Sequence, residues 1–318
     1  MGHGGAKKGR AAGPYVVGSA TSGILEILIF HPVDTVAKRL MSNTEAIFQT
    51  GSKDNMKRLN NVLFKDAVNR SFFGKWLSLF PGVSFGAAYK VLQRTYKFGS
   101  QPLLRDWMAR NYGTAFANTF GAGNSRDMTN ACAGALVGIG EVFLLPLDVL
   151  KIKSQTNPEV LKGRGLVDLI VNENFKLYRG IGWTAARNCP GSFALFGANS
   201  LVYTRIFGVS GPKEAKGYQI FLGSMSGGIA SIMVSSPLDV IKTRIQNKPF
   251  DDPRSGFKVF SDLMKEEGPH ALFKGLTPKL SLIGPKLVFS FTVAQALIAK
   301  LQDVWIEKGW EEDPDKKQ

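Results

Sequence analysis

One short phrase is written three times along the chain: HPVDTVAKRLM from His31, LPLDVLKIKSQ from Leu145 and SPLDVIKTRIQ from Ser236. Its prolines, Pro32, Pro146 and Pro237, stand about a hundred residues apart, so each unit is longer than a solenoid repeat and holds several elements. A proline removes one helical hydrogen bond and bends the helix. An acid two residues later and a base three beyond it share one helix face. A single copy is ordinary. Three copies in register require three related helices, bent alike and packed around a common axis.

The segment before each phrase is rich in glycine, alanine and aliphatic residues: YVVGSATSGILEILIF, MTNACAGALVGIGEVFLL and YQIFLGSMSGGIASIMVS. Small residues recur at four-residue spacing in Gly18/Ser22, Gly134/Gly138 and Gly223/Gly227, a pattern that lets membrane helices approach closely. Extended past the proline, each segment reaches the roughly 20 residues that cross a bilayer. A polar stretch follows, then a second apolar segment with a proline of its own (Pro81, Pro190, Pro285) and an aromatic run. Between the two lie amphipathic pieces such as SGFKVFSDLMKEEG from Ser255, spaced for a short helix at an interface. The reading is six spans in three pairs. A stacked soluble helical protein has no reason to keep prolines inside long helices, whereas membrane helices tolerate them.

Composition narrows the partner. The chain has 318 residues, a net charge of +15 and 44% hydrophobic residues, with mean hydropathy near zero. A basic excess calls for an anionic partner: nucleic acid, a lipid surface or a small polyanion. Lysine and arginine are spread through the links and helix ends and do not cluster as a nucleic-acid binder requires. No G-x-x-x-x-G-K-[ST] loop is present, and His3, His31 and His270 are scattered, so no metal site, cofactor or enzyme is expected. Cys132 and Cys189 lie far apart in apolar stretches and are read as packing residues. The opening MGHGGAKKGRAAGP is a short basic tail without the apolar core of a cleavable signal.

Charges at the ends of membrane helices are costly toward lipid, so they belong in a bundle interior or a wet cavity. With three related helices around an axis, the acid of one can meet the base of the next. Such a ring closes one end of a cavity, and Pro32, Pro146 and Pro237 bring the helix ends together.

In this arrangement the chain resembles the mitochondrial carrier family. The threefold phrase carries the resemblance, together with LFKGLTPKL after KEEG and LYRG after VNENFK. It covers nearly the whole chain. It implies an all-α membrane protein of six transmembrane helices in three pseudo-symmetric two-helix repeats, with short amphipathic helices on the matrix side. The divisions are a basic tail (1–14), repeats at 15–120, 121–212 and 213–305, and a polar tail (306–318). It further implies the mitochondrial inner membrane with both termini in the intermembrane space, contact with the bilayer, and anionic lipid such as cardiolipin on the matrix side. The longer phrases HPVDTVAKRLMSN, GWTAARNCPGSFALFG and GLTPKLSLIGPKLVFSF resemble the guanine-nucleotide carriers of that family, which implies exchange of GTP and GDP. Another anion, an adenine nucleotide or a keto acid, is the alternative.

The family's ring order pairs Asp34 with Lys151 and Asp148 with Lys242, and assigns Gln155 and Gln246 to the same matrix gate. The first phrase departs from the pattern: the base position holds Ala37, and Lys38 is turned away by about 100°. Asp239 therefore loses its partner on the first helix, and the gate is expected to have two bonds. At the other end, the acid positions hold Val91, Ser200 and Gln295 and the base positions Arg94, Tyr203 and Ile298, so no acid–base pair survives. For the nucleotide, Arg187 and Asn188 stand where family carriers contact substrate, suited to a phosphate clamp and a guanine edge. Lys279 and Lys286, two turns apart along the sixth helix, form a candidate phosphate ladder, as do Lys90 and Arg94 on the second. Phe80 and Phe196 are candidates for stacking, against the commoner role of packing. The acids Glu26 and Glu141 repel a nucleotide; they are expected to pair with Arg187 or a lysine in the empty site, or to carry a proton.

Overall fold

The computed structural model describes residues 12–44, 54–161, 163, 166–209, 214–250, 252 and 254–308. Among these there are helices and turns and no strand. The elements in order are α1 (Ala12–Ser42), α2 (Asn55–Phe64), α3 (Phe72–Leu77), α4 (Val83–Phe120), α5 (Ala122–Gly140) and α6 (Leu145–Thr156). Then follow α7 (Leu166–Glu173), α8 (Ile181–Leu201), α9 (Gly217–Asn247), α10 (Gly256–Glu266), α11 (Leu276–Ser281) and α12 (Ile283–Glu307). α1 takes in residues 12–14 of the expected tail, while residues 1–11 lie outside the described residues.

The long helices pack side by side in chain order, α1 on α4, α4 on α5, α5 on α8, α8 on α9 and α9 on α12, and α12 closes back onto α1. At one end α1, α6 and α9 also touch one another, so the three proline-bearing ends converge. Two apolar cores sit beneath this convergence. Met41, Val240, Ile241 and Ile245 pack on Val259, Leu263 and Ala271. Leu145, Val149 and Leu150 pack on Leu169 and Leu177.

The prolines do not act alike. α1 and α9 run helically through Pro32 and Pro237, whereas the second copy is interrupted by a 3₁₀ segment, Glu141–Leu144, before α6 opens with Pro146 in its first turn. Pro190 lies inside α8, but Pro81 falls in the turn before α4, where Gly82 takes a left-handed φ of 74°. A side chain there would also meet Ser154 of α6.

Small residues let the helices approach. A β-carbon at Gly138 of α5 would collide with the Asn188 carbonyl and Ser192 hydroxyl of α8, and one at Gly227 of α9 with the Leu195 carbonyl of α8. In the first repeat, Ser22 Oγ donates to the Ser290 carbonyl of α12 at 2.8 Å. Ile24, Leu28 and Ile29 of α1, Leu136, Ile139 and Phe143 of α5–α6, and Met233 and Val234 of α9 are exposed outward. Among the described residues two stretches, 122–156 and 217–247, are long and apolar enough by length and composition to cross a membrane. α10 matches the amphipathic segment read from Ser255: the Ser255 hydroxyl caps Lys258 N–H at 3.2 Å, with Val259 and Leu263 buried. Cys132 and Cys189 are free and half-buried.

Candidate functional site

The converging ends of α1, α6 and α9 bring the repeated acids and bases together. Lys151 of α6 reaches Asp34 of α1 at 2.5 Å, and Lys242 of α9 reaches Asp148 of α6 at 2.5 Å. The acid and base of one phrase thus meet different neighbours, as the ring order requires. Gln155 Nε2 donates to Thr35 Oγ1 at 3.1 Å and Gln246 Nε2 to Thr184 Oγ1 at 3.4 Å, so both glutamines join neighbouring helices at this level. His31, buried ahead of Pro32, lies 3.0 Å by Nε2 from the Pro81 carbonyl.

The third acid departs from expectation. Asp239 makes no ion pair with α1, where Ala37 is buried and Lys38, whose charge also acts on Asp239, donates to Thr243 Oγ1 at 3.0 Å. It is nonetheless paired twice: Arg187 Nε of α8 lies 2.7 Å from Oδ1, and Lys279 Nζ of α11 lies 2.6 Å from Oδ2. Three acids are therefore held at this end, not two, and two cations assigned to substrate hold the third. Lys279 and Lys286 do not share a helix, because α11 ends at Ser281 and α12 starts at Ile283. Lys286 instead stands 5.9 Å above the Phe30 ring.

Further from the convergence, α4 carries a polar stripe between two buried carboxylates. Lys90 and Arg94, one turn apart, both pair with Glu26 of α1, Arg94 at 2.6 Å, and the Ser290 hydroxyl of α12 also donates to it. Glu141, in the 3₁₀ break, takes Lys97 at 2.8 Å, the Tyr89 hydroxyl at 2.8 Å and the Gln93 amide. Neither acid bonds Arg187 directly, although the charges of Glu141 and Arg187 act on one another. Lys97 was missed, although Tyr89, Gln93 and Lys97 at four-residue spacing mark one helix face. Arg187 Nη1 donates to Asn188 Oδ1 at 3.0 Å, while the buried Asn188 Nδ2 has no partner among the described residues. The two aromatic candidates are engaged: Phe80 packs on Trp76 and His31, and Phe196 packs beside Gly134 of α5.

At the opposite end Ser200, one of the positions without an acid, donates to Asp127 Oδ1 at 2.6 Å. Thr204 donates to Oδ2 at 2.9 Å, and Asn130 Nδ2 to Ser200 Oγ at 2.9 Å. Ser200 and Tyr203 are buried there, Val91 and Arg94 half-buried; the side chains of Gln295 and Ile298 lie outside those described. Asp127 was not singled out in the sequence, since nothing local marks a buried acid satisfied by hydroxyls.

A further set of cations follows each proline by seven residues, a regularity that was legible. Arg39 donates to the Gln155 and Ser78 carbonyls at 2.9 and 2.8 Å, Lys153 to the Lys248 carbonyl, and Arg244 to the Met41 carbonyl at 3.0 Å. Arg244 also pairs with Glu267 beyond α10, which Lys274 shares. Burial alone would raise the Glu267 carboxyl, but the hydrogen bonds from Arg244 and Lys274 hold it below its ordinary value of 4.5.

Two acids that each hold two cations, with Lys286 beside them, leave a positive interior between the gate level and mid-helix. Such a surface recognises a polyanion.

Comparison with known proteins bears on this site. A family model described as mitochondrial carrier protein matches residues 213–304. An uncharacterized mitochondrial carrier of Schizosaccharomyces pombe is 54% identical over 89% of this chain and 92% of its own. The mitochondrial GTP/GDP carrier protein 1 of Saccharomyces cerevisiae is 51% identical over 91% of this chain and 95% of its own. More distantly, a mitochondrial citrate transporter D of Aspergillus niger is 26% identical over 85% of this chain and 88% of its own.

Proposed function

The chain belongs to the mitochondrial carrier family, and on that premise we propose that it exchanges GTP for GDP across the mitochondrial inner membrane. The observation that carries the substrate is the 51% identity, over nearly the full length of both chains, with a relative named for GTP and GDP. The positive interior fits a nucleoside di- or triphosphate.

In this reading the protein has six transmembrane helices in three repeats (15–120, 121–212 and 213–305), with both termini in the intermembrane space. The converging ends of α1, α6 and α9 form the matrix gate around a central cavity. Asp34–Lys151 and Asp148–Lys242 are two latches, braced by Gln155 and Gln246. Arg187, Lys279, Lys286, Lys90 and Arg94 receive the phosphates. The Asn188 amide, which has no partner among the described residues, donates in this reading to an acceptor on the guanine edge once the buried side chain is uncovered. Glu26 and Glu141 hold the cations of α4 in position when no nucleotide is bound. The outward apolar faces meet lipid, and basic residues near the matrix links suit anionic headgroups such as cardiolipin. The cycle is alternating access, with repeats that share one orientation and are not inverted.

The test is uptake of labelled GTP into liposomes containing the purified protein, preloaded with GDP, GTP, ATP, a keto acid or nothing. Uptake that requires internal guanine nucleotide is expected. Equal uptake with ATP inside, or none with any nucleotide, overturns the guanine assignment and leaves the family intact.

A further inference from the structure

The three gate acids are not held in the same way. Asp34 and Asp148 each face a base of the neighbouring phrase, a residue with no other assignment. Asp239 cannot, because its place in the ring belongs to Ala37, whose methyl group is 1% exposed. Lys38, one residue on, is committed to Thr243. Asp239, 2% exposed, draws its countercharge from Arg187 and Lys279. The two cations are more open than the acid: their side chains are 23% and 14% exposed, against 3% for Asp239. Each grips a sealed carboxylate while part of its own side chain stays exposed.

We infer that Arg187 and Lys279 are shared between the gate and the phosphate site, so that an arriving phosphate takes them from Asp239 and breaks the third latch by binding. This rests on the nucleotide reading above. A nucleotide phosphate chain carries several negative charges against one on Asp239, and it accepts both forks of a guanidinium. Once these cations are drawn away, Asp239 is a buried carboxylate without a direct ion pair, left only with the unbonded charge of Lys38, a state the closed end does not tolerate. The end of α9 then separates from α8 and α11. Binding and opening become one event in the third repeat, while the other two latches open only as the helices part. Ala37 is the residue that makes this so: a lysine there would give Asp239 its own base and release Arg187 and Lys279 to the substrate.

The consequence is a substrate that binds against internal competition. Asp239→Asn removes the competitor and leaves both cations in place. The KM for GTP is expected to fall about tenfold, the equivalent of about 1.4 kcal/mol, while internal nucleotide is no longer strictly required for uptake. Asp239→Glu keeps the charge and should keep the wild-type KM. Asp148→Asn is the contrast, since its partner Lys242 is not shared: it should relax the need for internal nucleotide without lowering KM. Ala37→Lys, in case Asp239→Asn fails to fold, should lower KM in the same direction but preserve obligatory exchange. All four are measured by GTP/GDP exchange in liposomes beside wild type, with thermal unfolding in detergent to verify folding. An unchanged or raised KM in Asp239→Asn, or an equal fall in Asp148→Asn, overturns the inference. Wild-type protein that fails to exchange guanine nucleotides overturns the substrate reading alone. The same KM comparison, made with whichever anion the preloading experiment identifies, then still decides whether the cations are shared.

Discussion

The two ring pairs differ in burial, and that difference sets a measurable order. The Lys242 and Asp148 side chains are 5% and 9% exposed, those of Lys151 and Asp34 17% and 23%, at the same 2.5 Å separation. Lys242→Met keeps most of the side-chain volume and leaves Asp148 as a sealed, unpaired carboxylate. Breaking a buried pair in this way costs about 3–5 kcal/mol. Lys151→Met leaves Asp34 partly open to water, between that limit and the roughly 0.2–1 kcal/mol of an exposed pair, so about 1–2 kcal/mol is expected. At about 2 °C per kcal/mol for a chain this long, Lys242→Met should lower Tm by roughly 6–10 °C and Lys151→Met by roughly 2–4 °C. The assay is thermal unfolding of the purified protein in detergent without nucleotide, where the gate is closed. The double variant Asp148→Asn/Lys242→Met should recover much of the loss, since removing both charges also removes the desolvation penalty. Equal shifts for the two lysine variants, or no recovery in the double variant, would refute the burial argument.

Two further outcomes test the packing and the matrix links. Gly138→Val drives a side chain into the Asn188 carbonyl and should prevent stable folding, whereas Gly113→Ala in α4, with open space around it, should be neutral or stabilising by roughly 0.5–1 kcal/mol; yield and thermal unfolding separate them. Because the folded carboxyl of Glu267 titrates below its ordinary 4.5, its stabilisation is complete above that pH and lost as pH falls through the lowered value. Glu267→Gln should therefore lower Tm at pH 7, with a gap to wild type that narrows on acidification in a pH series; a gap that widens would contradict the pairing.

What the sequence made legible was whatever rests on fixed spacing. The threefold phrase lets the acid of one helix meet the base of the next, the resemblance to the family adds the order that pairs Asp34 with Lys151 and Asp148 with Lys242, and the four-residue small-residue pattern anticipates how Gly138 and Gly227 meet α8. Partners joined by tertiary packing were not legible. Arg187 lies 52 residues from Asp239 and Lys279 lies 40 from it, with no shared helix register to relate them. Glu26 and Glu141 are expected from the sequence to pair with Arg187 or a lysine, but which lysine was not legible, because their cations stand on α4, 64 residues away for Lys90 and Glu26. The helical period itself misled in one place: Lys279 and Lys286 fit one continuous helix, and the break between α11 and α12 turns the first to the gate and the second to Phe30. The prolines share a residue type without sharing a local structure: among the described residues α1 and α9 stay helical through Pro32 and Pro237, while a 3₁₀ segment precedes Pro146.

These departures fall in an order that bears on mechanism. Threefold symmetry holds best where the ring needs only itself, at the pairs made by α6 with α1 and with α9. It fails where the first repeat lacks its base, and the charge that fills the gap comes from α8 and α11, elements that carry the candidate phosphate ligands. A symmetric ring with three private bridges would leave nucleotide binding and gate opening linked only through helix movement. On the proposed reading, one missing lysine brings the two into direct contact at a single carboxylate, so a substrate that engages Arg187 and Lys279 acts on the gate without an intermediary. On the same reading, a nonsubstrate anion too short to reach both cations would leave Asp239 paired and the end closed, and the third repeat would be the point where selection and opening coincide.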